Sequence, residues 1–296
     1  MKKIYLILPI LAGIMFGSSG IFVRTITQNG IDDATLIFLR FSLAILPILI
    51  AILLTDRSLF KIDLKDLPLI LMCAICIFGC NACYNESMNS VPLSLAAVLL
   101  SLAPIYVLVF AYFLFGEKIT LKKLICMVLA IFGCVLMTGI LESDLVNIPI
   151  FGIVCGVGAG LFWAIYLMAS KKALEREKHT YTILFYSMII ITVALIPFTS
   201  FDQIGAYISI DPIFVILFLI LHSTVSFALP YIFSTLSLNY MDSGVSSILL
   251  SGAEPFAALL FGFMFYLEIP TIMMFCGFII TSISMIMLSR LDAIKS

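Results

Sequence analysis

Apolar runs of about twenty residues, divided by short charged or turn-rich breaks, recur along the whole of this 296-residue chain. A helix needs about 20 residues to cross the ~30 Å hydrocarbon layer of a bilayer. Lipid offers the backbone no hydrogen-bond partners, so runs of this length satisfy their own amides as helices. The runs predict ten transmembrane helices, over 4–26, 34–54, 67–88, 92–115, 121–140, 150–170, 181–199, 211–238, 243–266 and 269–290. The breaks at 29–33, 55–66, 117–123, 142–149 and 171–180 leave no room for a soluble domain. Hydrophobic residues make up 63% of the chain and charged ones 11%, against about 45–50% and about 25% in soluble domains. The start, Met1-Lys2-Lys3 before an apolar run, resembles a signal peptide. No small-residue cleavage site follows, so it is read as the first span.

The basic residues orient these helices. With the N-terminus inside, the inner side carries Lys2, Lys3, Arg57, Lys61, Lys65, Lys118, Lys122, Lys123, Lys171, Lys172, Arg176, Lys178, Arg290 and Lys295, fourteen of the sixteen Lys and Arg. Cytoplasmic loops are enriched in Lys and Arg. The outer loops carry Asp32, Asp33, Glu142, Asp144, Asp202 and Asp211 instead. The expectation is a multi-pass protein of the cell inner (plasma) membrane with both termini cytoplasmic.

The two halves echo each other. Pro104 and Glu117 recur as Pro255 and Glu268 at an offset of 151, which also matches Leu99 with Leu250 and Phe110 with Phe261. Ala12-Gly13-x-x-Phe16 is echoed by Ala159-Gly160-x-x-Trp163. Five spans per half is an odd number, so the second repeat enters the membrane from the opposite side. The expected division is a first five-helix repeat over 1–141 and an inverted one over 149–296. Inverted repeats recur in secondary transporters, whose solute sites lie near the midplane between the halves.

Ionisable and polar groups within the spans are costly and mark candidate sites. Glu254 lies near the middle of span nine, where a carboxylate can couple a proton to solute movement or hold a cationic group. Arg40 in span two and Glu86 in span three are expected to form an ion pair that fixes helix register. His222 in span eight suits either a backbone-bonded histidine or a solute ligand. Pro104 and Pro255 sit about halfway along their spans, as packing kinks or as gating points. Asn81, Tyr84, Asn85, Ser101, Trp163, Tyr166, Tyr231, Ser247 and Ser251 lie at cavity depth. Trp163, the only tryptophan, is away from the interfacial belt where tryptophan is enriched. An aromatic-lined cavity with a few polar groups suits an amphipathic metabolite. Gly13, Gly17, Gly20, Gly152, Gly156, Gly158 and Gly160 fit close helix packing.

These residues resemble the drug/metabolite transporter superfamily in its ten-helix EamA branch. The resemblance is carried by 12–18 (Ala-Gly-Ile-Met-Phe-Gly-Ser), 39–44 (Leu-Arg-Phe-Ser-Leu-Ala), Leu102-Ala103-Pro104 through 115–120 (Phe-Gly-Glu-Lys-Ile-Thr), and Glu254-Pro255 through Glu268. It covers about 5–290. Leu267, where the second half usually has glycine, and the lack of a basic residue after Glu268 depart from the pattern. The resemblance implies a five-plus-five inverted repeat exporting small metabolites, often amino acids, with proton coupling or facilitated exchange. It leaves open cationic drugs, nucleobases and sugar-phosphate-like solutes.

Other classes fit poorly. Two histidines, no HExxH, no GxSxG and no aspartate-rich diphosphate motif argue against a membrane-embedded enzyme. Net charge of −1 gives no field for nucleic acid. Cys73, Cys76, Cys80 and Cys83 share one helical face, which cannot surround a metal ion. No cofactor or metal is expected. The expected partners are a small solute, protons as a coupling ion and the lipid bilayer, with the protein a monomer or weak dimer.

Overall fold

Side-chain caps start helices where polar breaks meet apolar runs. In the computed structural model, which describes residues 5–91, 93–142, 149–266 and 270–292, the regular structure of the described residues is entirely helical. The first half contains α1 (Ile7–Gly17), α2 (Ser19–Gln28), α3 (Asp33–Thr55), α4 (Leu67–Ser90), α5 (Leu93–Leu100), α6 (Ala103–Phe115) and α7 (Leu121–Met137). The second contains α8 (Ile150–Glu175), α9 (Thr180–Leu195), α10 (Phe201–Ile210), α11 (Pro212–Ser223), α12 (Leu229–Ser237), α13 (Ser243–Tyr266) and α14 (Ile272–Asp292). Asp32, Thr120 and Asp211 each accept a backbone N–H in the first turn of α3, α7 and α11, satisfying donors that a helix start leaves free. Gly116 ends α6 at a φ of 64°, in the left-handed region that favours glycine.

Among the described residues, eight helical segments are long and apolar enough to cross a membrane: Ile7–Gln28, Asp33–Thr55, Leu67–Ser90, Leu95–Phe115, Ile150–Glu175, Thr180–Phe198, Pro212–Ser237 and Ser243–Phe265. The expected fifth and tenth spans are α7, of 17 residues, and α14, whose apolar stretch is Ile272–Leu288. At 1.5 Å per residue α7 is about 26 Å long, slightly less than the hydrocarbon layer. Glu268 and Leu267 lie outside the described residues.

Helix pairs hold the bundle together: α4 along α8, α1 along α13, α7 along α14, and α3 along α9. Two of these seams depend on absent side chains. A β-carbon on Gly17 would stand 2.4 Å from the carbonyl oxygen of Glu254, and one on Gly277 would stand 2.6 Å from that of Gly133. Gly13, Gly152 and Gly156 are similarly confined, whereas Gly20 faces open space. Large apolar side chains such as Leu54, Phe113, Ile213 and Ile272 lie exposed on the outside. That inverts the surface of a soluble protein and suits lipid contact.

Three of the apolar runs are interrupted. The first breaks at Ser18 between α1 and α2, and the fourth at Ser101–Leu102 between α5 and α6. The eighth widens into a π-helical segment, Thr224–Ala228, between α11 and α12. Pro230 follows that segment and lacks the N–H that would bond the carbonyl one turn back, which favours the bulge. The two prolines paired by the repeat behave differently. Pro104 lies in the first turn of α6 beyond a break, whereas Pro255 is inside the continuous α13.

One end of the bundle is stitched by ion pairs. Lys171 binds Glu117 at 2.5 Å, and Lys123 binds Asp242 at 2.6 Å. The two oxygens of Glu117 also accept the N–H groups of Ser243 and Gly244, which begin α13. Lys171 additionally lies 4.7 Å from the centre of the Phe115 ring. At the same end, Lys178 bridges Asp66 and Asp63 at 2.8 and 2.9 Å. Its hydrogen bonds to both hold the ammonium pKa above the usual lysine value, and Lys178 holds Asp63 below the usual carboxylate value.

Candidate solute site

An aromatic cage occupies the interior where α1, α8 and α12 meet. Phe16 stands edge-on to Trp163 and to Tyr231, with ring centres 5.6 and 5.3 Å apart. Trp163, Tyr166 and Tyr231 are mutually 5.4–5.6 Å apart. Edge-to-face and tilted packing of this kind sets the positive edge of one ring against the negative face of the next. Phe227, from the π-helical segment, extends the cluster to Phe41. The polar handles of the tyrosines are occupied. Asn81 donates to the Tyr231 hydroxyl at 3.1 Å, and the Tyr166 hydroxyl pairs with Thr235.

The backbone breaks carry this cage. Ser18, at the interruption between α1 and α2, shares a 2.9 Å hydrogen bond with Ser226 of the π-helical segment. The Ser18 hydroxyl also contacts the Met15 carbonyl at 2.7 Å. Thus the polar groups released by two irregular helices are joined to each other rather than left facing lipid.

Arg40 on α3 and Glu254 on α13 are ionisable residues within membrane-crossing helices. Arg40 is buried, and its Nε donates to Nε2 of His222 at 3.3 Å. With Nε2 accepting, the imidazole proton belongs on Nδ1, which has no partner among the described residues. His222 also stacks on Phe22 at 5.1 Å.

A cavity of about 460 Å³ opens at the end of the bundle remote from the ion pairs. Val23, Thr27, Ile31, Asp32, Asp33, Asn85, Met88 and Asn89 line it. Asn85 is buried in its wall with Nδ2 unpartnered among the described residues, while Asp33 accepts a hydrogen bond from Asn89.

The residues singled out in the sequence therefore fall into three groups. Asn81, Trp163, Tyr166 and Tyr231 form the cage, with Arg40 and His222 paired on α3 and α11 and Tyr84 and Glu254 on α4 and α13. Asn85 belongs to the terminal cavity. Ser101, Pro104 and Ser251 meet in a separate crevice between α5–α6, α7 and α13, and Ser247 is buried with its hydroxyl unpartnered among the described residues. The expected Arg40–Glu86 ion pair does not form: Glu86 is exposed and accepts from Ser90, one turn further along the same helix. His222 occupies the place beside Arg40 because α11 packs against α3. The sequence reading did not include Phe16, Phe41, Phe227 or the Ser18–Ser226 link. Only the Phe16–Trp163 echo between the halves hinted at them.

Buried aromatic and ionisable groups inside a bundle of membrane-crossing helices define a multi-pass membrane protein. The chain belongs to the EamA-like transporter family, whose sequence profile matches residues 3–139 and again 150–290. It is therefore a membrane transporter of small solutes. An uncharacterized transporter of Archaeoglobus fulgidus is 30% identical over 271 residues, covering 90% of each chain. A Clostridium kluyveri protein of the same description is 24% identical over 185 residues, covering 59% of this chain and 58% of its own. A solved crystal structure shares the fold, with a TM-score of 0.78 at 14% identity over 98% of this chain and 97% of the other.

Proposed function

We propose that the protein exports small amphipathic metabolites, amino acids foremost, by alternating access around a midplane cavity. The observation that carries this reading is the cage of Phe16, Trp163, Tyr166 and Tyr231 in the interior of a bundle that also buries Arg40 and carries Glu254 on α13. Rings suit the apolar part of such a solute and ionisable groups its polar part. Ten spans in two inverted halves, 1–141 and 149–296, with both termini cytoplasmic, complete the architecture. The double match of the family profile supports the duplication. The closed, ion-paired end is then cytoplasmic and the 460 Å³ cavity faces outward. Glu254 is the group that links solute movement to a proton, and the protein works in the plasma membrane as a monomer or weak dimer.

Proteoliposomes loaded with labelled amino acids test this directly. Glu254→Gln is expected to abolish most flux while the protein remains folded, and flux unchanged at every pH would remove that residue from the mechanism. Trp163→Ala is expected to weaken solute affinity more than it lowers yield. A cysteine at exposed Glu177 is expected to react only from the cytoplasmic side, and labelling in intact cells would reverse the orientation. A cationic solute is the second reading, favoured by Asp32 and Asp33 on the wall of the outer cavity. Flux of a diamine without flux of any amino acid would select it.

A further inference from the structure

We propose that the cavity remote from the ion-paired end is a second binding site, which takes the ammonium group of a small solute that also carries a neutral oxygen, as an amino alcohol does. It shares no lining residue with the aromatic cage and does not rest on the cage being the transport site.

Three pieces of chain build the wall. Val23 and Thr27 stand one turn apart on α2, Ile31 and Asp32 lead into Asp33 at the start of α3, and Asn85, Met88 and Asn89 follow near the end of α4. Residues three and four apart share a helix face, so α2 and α4 each turn one face to this space. Its volume of about 460 Å³ falls within the range of about 300–1,000 Å³ typical of small-molecule pockets.

The wall holds two carboxylates without a counter-charge. Asp32 uses one oxygen to accept the Thr35 N–H, and Asp33 uses one to accept from Asn89. Neither forms an ion pair among the described residues, whose ion pairs involve other acids. The start of α3 carries the positive end of a helix dipole, worth about half an elementary charge, against two carboxylates. Arg24 does not line the cavity, and Arg40 lies about 10 Å deeper along α3 at the 1.5 Å helical rise.

Asn85 independently marks a ligand. It is 5% exposed, lines the cavity, and leaves Nδ2 without a hydrogen-bond partner among the described residues. Buried amide donors are almost always paired, because an unmade bond forfeits the hydration of the group. An N–H cannot coordinate a metal ion, and the described residues hold no cluster of three or more His, Cys, Asp or Glu that could hold one. What Nδ2 lacks is an acceptor. Beside two carboxylates that acceptor is a neutral oxygen, since an anionic one would be repelled. A hydroxyl both donates and accepts, so it satisfies either end of the Asn85 amide. The ammonium then brings three N–H donors to the carboxylates in charge-assisted bonds. Val23, Ile31 and Met88 supply apolar wall for a short alkyl chain.

Displacement of labelled L-leucinol from the purified full-length protein, with probes of one shape, tests both contacts. L-leucinol carries ammonium and hydroxyl, 4-methylpentan-2-amine lacks the hydroxyl, and 4-methylpentan-1-ol lacks the ammonium. Leucinol is expected to bind about tenfold tighter than the alcohol and about fivefold tighter than the amine, the weight of one neutral hydrogen bond. Asp33→Asn, whose amide oxygen still accepts from Asn89, is expected to weaken leucinol and the amine about tenfold and leave the alcohol unchanged. Asn85→Leu is expected to bring leucinol down to the affinity of the amine and leave the amine unchanged, with Asn85→Ala serving where the leucine variant does not fold. Leucinol affinity untouched by Asp33→Asn would put the ammonium elsewhere, the cage included, and overturn the site. Equal weakening of all three probes by either variant, wild-type protein that binds the alcohol as tightly as leucinol, or no binding of leucinol also overturns it. Amino-acid flux in proteoliposomes tests the cage separately and is unaffected by any of these outcomes.

Discussion

Gly17→Ala adds a single methyl group at the seam between α1 and α13. That carbon would lie 2.4 Å from the Glu254 carbonyl oxygen, 2.8 Å from the Ala257 β-carbon and 2.9 Å from the Ala258 nitrogen. Ordinary contact begins at 3.4 Å, so the helices must separate by about 1 Å locally. Two of the three obstructing atoms are backbone, and no side-chain rotation relieves them. Overpacking of this kind costs about 1–3 kcal/mol. The helix propensity gained on replacing glycine by alanine, about 1 kcal/mol, offsets part of it. The net expectation is a destabilisation of about 0–2 kcal/mol by these two figures. Gly20→Ala is the control, because its added methyl meets nothing within 4 Å. It should be neutral or slightly stabilising. Thermal unfolding of the detergent-purified variants, followed by the loss of the monodisperse chromatographic peak, reads both. The same displacement shifts Phe16 relative to Trp163, so solute affinity should fall with Gly17→Ala. Equal melting temperatures for Gly17→Ala and Gly20→Ala would refute the close-contact argument.

Other expectations concern the buried polar groups and the ion-paired end. Glu117→Ala leaves Lys171 and two N–H groups of α13 without their carboxylate and should cost about 3–5 kcal/mol, with Glu117→Gln milder because an amide oxygen still accepts. Thermal unfolding of the Glu117→Ala/Lys171→Met double variant should fall short of the summed single effects; strict additivity would deny the coupling. Arg40→Met strips the acceptor His222 of its donor and should cost about 1–3 kcal/mol, most of it removed when His222 is replaced as well. For His179, whose Nδ1 accepts the Tyr181 N–H at the start of α9, burial lowers the pKa below the usual histidine value. The folded protein then binds fewer protons than the unfolded chain near pH 6.5, so stability rises with pH through that range and is lost below it. Unfolding measured from pH 8 to 5 should show this slope, and His179→Asn, which caps without titrating, should flatten it.

Much of the helical layout was legible because lipid makes hydrophobicity a direct reporter. A run of apolar residues long enough to cross the bilayer has no other way to satisfy its amides, so the runs at 34–54, 67–88 and 243–266 coincide closely with α3, α4 and α13. The same logic exposed Arg40, His222 and Glu254, since an ionisable residue stands out against such a background. Hydropathy gave no sign of where a helix breaks internally. The interruptions at Ser18, Ser101–Leu102 and Thr224–Ala228 lie within runs that remain apolar on both sides.

Partnership was decided only in three dimensions. Arg40 and Glu86 carry opposite charges at compatible depths, yet helix rotation turns Glu86 outward to Ser90 and brings His222 against Arg40. Pro104 and Pro255 occupy equivalent repeat positions, but one opens a helix and the other sits inside an unbroken one. The rotation of each helix about its axis is set by side-chain and glycine contacts with its neighbours, such as Gly17 against Glu254. The sequence by itself determined that the chain lives in lipid as a helical bundle with rare interior charges. Tertiary packing alone chose which of those charges meet, because a helical residue's direction depends on neighbours that are distant in the chain.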